Sequence, residues 1–151
     1  MNDSINNGRA KAAERCVGGC LCDAVNFELR GAPSLFQYCF CSRCQQVSGS
    51  AFAANLFVPA TQFTWLKGEQ QVTQYRLPNA KYFGTAFCSR CGGKLPWIMK
   101  GRETVAVPAG ALRGEIPYVP QQSIHREAQA CWYREPQSLP SHQQLPPKSR
   151  S

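Results

Sequence analysis

The sequence predicts an all-β fold in a single domain. Three observations carry that expectation. Short runs with strand-type patterning follow one another at hairpin-like spacing, 12 glycines and 11 prolines are spread along the 151 residues, and no stretch sustains a helical period. A chain of this length can bury a core of its own. No apolar run approaches the ~20 residues that a membrane span needs.

Residues 1–13 are polar and read as a flexible tail, without the apolar segment of a secretion signal. Ala24–Arg30 then alternates apolar and polar side chains, as a half-buried strand does. Leu35–Phe40 is a second strand and delivers Cys39 near its end. Ser42–Val47 is the one helix-permissive stretch, closed by Ser48-Gly49-Ser50. Ala51–Val58 is almost continuously apolar and is expected to be a strand buried on both faces. Phe63–Leu66, Gln71–Leu77, Lys81–Phe87, Leu95–Met99 and Thr104–Val107 complete the strands, and residues 136–151 form a Pro/Gln/Ser-rich C-terminal tail.

Of the nine cysteines, seven fall in three tight clusters: Cys20 and Cys22, then Cys39, Cys41 and Cys44, then Cys88 and Cys91. Thiolates this close on a turn can converge on one soft cation, and tetrahedral zinc takes four in a closed structural site or three when one position stays open. The two pairs supply one complete four-cysteine site. The triplet supplies a second site short of one ligand, which is the pattern of a catalytic metal unless His125 or Cys131 closes it. Disulfides between clusters and a redox role for either C-x-x-C are the competing readings. An odd cysteine count, the absence of a secretion signal and the absence of a βαβ context weigh for metal, and for a cytoplasmic protein with reduced thiols. Iron can occupy four cysteines, but zinc suits permanently bound thiolates better. Gly92 and Gly93, directly after Cys88-Ser-Arg-Cys91, supply the backbone freedom of a metal knuckle.

Gly18-Gly-Cys-Leu-Cys22-Asp-Ala-Val, Cys39-Phe-Cys-Ser-Arg-Cys44 with Gly49-Ser-Ala-Phe52, and Phe87-Cys-Ser-Arg-Cys-Gly92 resemble the motifs of the glutathione-dependent formaldehyde-activating enzyme family, which includes centromere protein V. The likeness runs from about Cys16 to Trp132. It implies a β-tent of small antiparallel sheets over residues 14–135, stapled by a structural zinc on Cys20, Cys22, Cys88 and Cys91. It further implies a catalytic zinc on Cys39, Cys41 and Cys44, hence two zinc ions per chain. The activity implied is that of a carbon–sulfur lyase on a thiol adduct such as S-hydroxymethylglutathione. Three departures stand out: Asp23 where the family usually has glycine, Phe40 where histidine is common, and Ser123 and Cys131 in place of a C-terminal histidine and proline.

The formal charge of +8 would suggest nucleic acid, but seven metal-bound thiolates against two divalent ions reduce it to about +5. No Lys/Arg-rich run is present, so a nucleic-acid partner is not expected. The contrasting function is a non-catalytic, zinc-stabilised module that binds nucleic acid or protein. Cys16 and Cys131 read as small packing groups, and Trp65, Trp97 and Trp132 as core or sheet-covering residues. His125 and His142 read as inert surface side chains. Arg43 and Arg90 read as solvent-facing, with a carboxylate-holding role open to them, and Ser42 or Ser48 as the hydroxyl available for proton transfer.

Overall fold

The computed structural model describes residues 14–148, so the tail expected over 1–13 and the last three residues of the tail expected over 136–151 lie outside them. Three small sheets share one core. The first joins β1 (Arg15–Gly19), β2 (Asn26–Arg30) and β5 (Phe63–Lys67) in that order. The second runs β11 (Gln122–Ile124), β3 (Leu35–Cys39), β4 (Ala53–Pro59), β10 (Thr104–Pro108) and β9 (Trp97–Ile98). The third holds β6 (Val72–Arg76), β7 (Gly84–Cys88) and β8 (Lys94–Leu95). Every pairing is antiparallel except β11 with β3, which is parallel. The single α-helix among the described residues, α1 (Ser42–Ser48), ends at Gly49, whose amide returns to the Gln45 carbonyl.

The core draws on all three sheets: Phe27 and Leu29 from the first, Leu56, Val58, Val105 and Val107 from the second, Ala86 and Leu95 from the third. Phe27 meets Phe63 and Trp65 at ring-centroid distances of 5.8 and 6.1 Å. Its ring lies so close over β1 that a Cβ at Gly18 would come within 2.3 Å of it. Glu28 is the charged residue at this level of burial, and the guanidinium groups of Arg15 and Arg30 bracket it and hold its carboxyl below the usual range.

The structure corrects several expectations. β4 is not buried on both faces: Leu56 and Val58 are fully buried, while Ala53, Asn55 and Phe57 line a cavity described below. The expected strand Leu95–Met99 is broken by Pro96. This residue has no amide to donate, so β8 stays in the third sheet and β9 passes to the second. The strand expected from Lys81 begins only at Gly84. β1 and β11 were not anticipated, because one is glycine-rich and the other short and polar. Cys131 and Trp132 are exposed rather than packed.

Candidate metal centre

The loop after β1 is folded back by the Cys20 amide donating to Val25 O at 3.0 Å, and the turn after β7 by the Gly92 amide donating to Cys88 O at 2.8 Å. Gly92 has φ of +71°, a conformation that costs glycine little. These two turns bring Cys20, Cys22, Cys88 and Cys91 together, with all four sulfurs within 4.8 Å of one another. Cys20 and Cys22 are 3.7 Å apart at sulfur, and Cys22 and Cys88 3.9 Å. Four ligands on a tetrahedral ion at ~2.3 Å are separated by about 3.8 Å, so the donor set fits zinc. Amides of Val25 and Arg90 donate to the sulfurs of Cys20 and Cys88 at 3.3 and 3.4 Å, which fixes the orientation of both side chains. Cys91 is drawn down to about 6 by the amides of Gly93 and Cys22. Cys22 is favoured as thiolate by the Ala24 amide, yet burial and the neighbouring thiols push it up to about 11.

Asp23, which stands in this loop where the resemblance expects glycine, has φ of +61°. Its carboxylate meets Arg113 at 2.8 Å and Lys67 at 3.4 Å, and Arg113 foremost holds it below the usual range.

The second cluster forms where β3 runs into α1. Cys39 ends the strand, Cys41 caps the helix with its sulfur accepting the Cys44 amide at 3.4 Å, and Cys44 lies in the first turn. Their three sulfurs also lie within 4.8 Å of one another. Burial, followed by the neighbouring thiols, drives Cys44 well above its ordinary value. Cys41 is lowered: burial opposes ionisation, but the Cys44 amide and the adjacent thiols outweigh it. Among the described residues no fourth Cys, His, Asp or Glu ligand atom joins this group. His125 instead lies 3.1 Å from Glu127, and Cys131 is exposed on another turn.

A segment that the sequence did not mark as a strand holds this cluster in place. β11 runs beside β3 with Ile124 opposite Cys39, and the Phe40 amide donates to Ile124 O at 3.0 Å. The Gln45 side-chain amide donates to Phe40 O at 2.6 Å and Ala128 O at 2.9 Å, tying α1 to both. Phe40 packs against Phe52 and Tyr133, and the Arg126 guanidinium lies 4.4 Å over its ring.

A cavity of about 920 Å³ opens beside the triplet and is touched by Cys39 and Cys44, and by Cys20 of the other cluster. Its walls are largely apolar, with Phe57, Phe83, Leu95, Trp97 and Met99 among them. Ser48 lines it and Ser42 does not. Arg43, Lys81, Lys94 and Arg113 are its charged residues, and among the described residues no acidic side chain lines it. Arg43 also sits 5.9 Å over the Phe83 ring, whereas Arg90 is exposed elsewhere. Lys94, unmarked by any sequence pattern, donates to Thr85 Oγ1 at 3.2 Å, and burial lowers its ammonium pKa.

Comparison with known proteins agrees with this geometry. The family model described as glutathione-dependent formaldehyde-activating enzyme matches residues 15–129. A Rhodobacter sphaeroides protein of known crystal structure is similar over 69% of this chain and 97% of its own, with 23% identity and a TM-score of 0.53. At that identity the likeness speaks for the fold alone.

Proposed function

This chain belongs to the glutathione-dependent formaldehyde-activating enzyme family, and from that premise we propose that it is a zinc-dependent carbon–sulfur lyase acting on the adduct of glutathione, or a similar thiol, with a small carbonyl compound. The observation that carries the reading is the unequal ligand count. Four sulfurs gather in one cluster and three in the other, and two of the three, Cys39 and Cys44, border a cavity large enough for an organic substrate. Cys20, Cys22, Cys88 and Cys91 would hold a structural zinc. Cys39, Cys41 and Cys44 would hold a catalytic one, which when bound supplies Lewis acidity that favours the thiolate of an incoming thiol.

The remaining work falls to the protein. Gln45 and β11 fix the strand-to-helix corner on which the three cysteines sit, so that their positions do not depend on substrate. Arg43 and Lys94 place positive charge on the cavity wall, suited to substrate carboxylates. Ser48 puts a hydroxyl on the same wall for proton transfer. In the forward direction the thiol loses its proton, sulfur bonds to the carbonyl carbon, and the carbonyl π pair moves to oxygen, which takes up a proton. The reverse splits the adduct. No helix among the described residues is long and apolar enough to cross a membrane.

Calorimetric titration with glutathione in two buffers of different ionisation enthalpy tests the reading. Association should release protons and strengthen as pH rises toward the ordinary thiol pKa of ~8.5. S-methylglutathione should bind much more weakly, and Cys44→Ser should abolish the glutathione signal. Equal affinity for the two peptides, or an unchanged Cys44→Ser titration, would leave a zinc-stabilised binding module as the function.

A further inference from the structure

Formaldehyde contributes one carbon and one oxygen to a thiol adduct, yet the cavity beside the three sulfurs holds about 920 Å³. That is toward the upper end of the ~300–1,000 Å³ range of pockets that take drug-sized ligands. The thiol carrier accounts poorly for this space. Glutathione brings an ammonium, two carboxylates and two amides, and among the described residues no acidic side chain lines the cavity to meet the ammonium. Peptide groups buried against Phe57, Leu95, Trp97 and Met99 without partners cost free energy, whereas hydrocarbon buried there gains it.

The charged groups narrow the ligand further. Arg43, Lys81 and Lys94 line the cavity, and among the described residues none of the three has a carboxylate partner. The Lys94 ammonium donates to Thr85 Oγ1 and lies 5.7 Å over the Phe87 ring, both neutral partners. Arg113, by contrast, is already taken by Asp23. Cations without a carboxylate partner on the wall of a largely apolar chamber complement a ligand with a greasy body and one negative group.

We infer that the carbonyl half of the substrate is a bulky, aromatic-type aldehyde bearing a carboxylate, its ring system among Phe57, Trp97 and Met99 and its anion at Lys94. This rests on the thiol-adduct reading and leaves its chemistry unchanged. Sulfur bonds to the aldehyde carbon, the π pair becomes an alkoxide that takes up the proton the thiol gave, and nothing is oxidised or reduced.

The test uses the full-length, metal-loaded protein and primary alcohols that match the aldehydes in shape but do not react with amines or thiols. Methanol, benzyl alcohol, 2-naphthalenemethanol and its 6-carboxy derivative are titrated by calorimetry, and by quenching of tryptophan emission with Trp97→Phe as reference. Affinity should rise about tenfold or more with each enlargement of the apolar body, and again with the carboxylate. Gly110→Phe fills cavity space at a position where an added Cβ meets no heavy atom within 4 Å. It should reduce naphthyl affinity about tenfold while sparing methanol. Lys94→Met keeps the stem and should remove only the carboxylate increment. A flat response across the series, or naphthyl binding indifferent to Gly110→Phe, overturns the inference. Glutathione titration of the same protein and of Cys44→Ser separates the two claims. If that titration fails while the alcohol series holds, the thiol reading falls and the apolar-anion site stands.

Discussion

Asp23 shows how one side chain replaces what glycine would give. Left-handed backbone is strained for a residue with a Cβ, though aspartate tolerates it better than most. Here the strained residue gains two ion pairs, to Arg113 and Lys67, which tie the first cysteine loop to the end of β5 and to the segment just after Leu112. Exposed pairs of this kind contribute little each and are screened by salt. Replacing Asp23 with glycine removes strain and ion pairs together, so its melting temperature should stay near that of the native protein. Asp23→Ala keeps the strain and loses the pairs, and should melt lower than Asp23→Gly by a few degrees. Thermal denaturation of the three proteins at low salt checks the order, and high salt, which screens the pairs and leaves the strain, should narrow the gap between native protein and Asp23→Ala.

At the scale of elements, the corner from β3 into α1 depends on a partner strand that is remote in sequence. Gln45 reaches both Phe40 and Ala128, so Gln45→Ala should loosen the triplet without touching the other cluster. Metal affinity at the three-cysteine site should fall about tenfold, read by competition with a chromophoric chelator, while the four-cysteine site keeps its ion. The sequence announced β2, β3, β6 and β10 by alternation or β-branched runs, and all seven clustered cysteines by spacing. It did not announce β11, whose Gln-Ser-Ile carries no period and becomes a strand only because β3 offers an open edge. It misled over β4, because an apolar face toward a cavity reads the same as one toward the core. Pro96 was visible, but that it divides one run between two sheets follows from pairing rather than from local preference. The cavity cations were illegible for a similar reason: Lys94 becomes special only beside Thr85 and Phe87.

For the whole molecule, the two clusters should differ in what depends on them. Cys88 is fully buried and its cluster ties the first sheet to the third, so Cys88→Ser should leave the protein unfolded or insoluble. Cys41→Ser should stay folded by circular dichroism and carry about half the metal by elemental analysis. Equal destabilisation by the two substitutions would contradict the division of roles. Cys22 and Cys88, whose sulfurs touch in the native state, stand 66 residues apart, and the triplet lies between them in the chain. A ribosome releases the first pair, then the triplet, and only later the residues that complete the first site. An ion captured early by Cys20 and Cys22 therefore meets the wrong thiols first, and the shorter loop closes at lower entropic cost. If the two clusters hold the proposed ions, correct pairing requires that metal arrive after Cys91 has emerged, or bind reversibly enough to exchange partners, so the order of synthesis would itself constrain how the sites are filled.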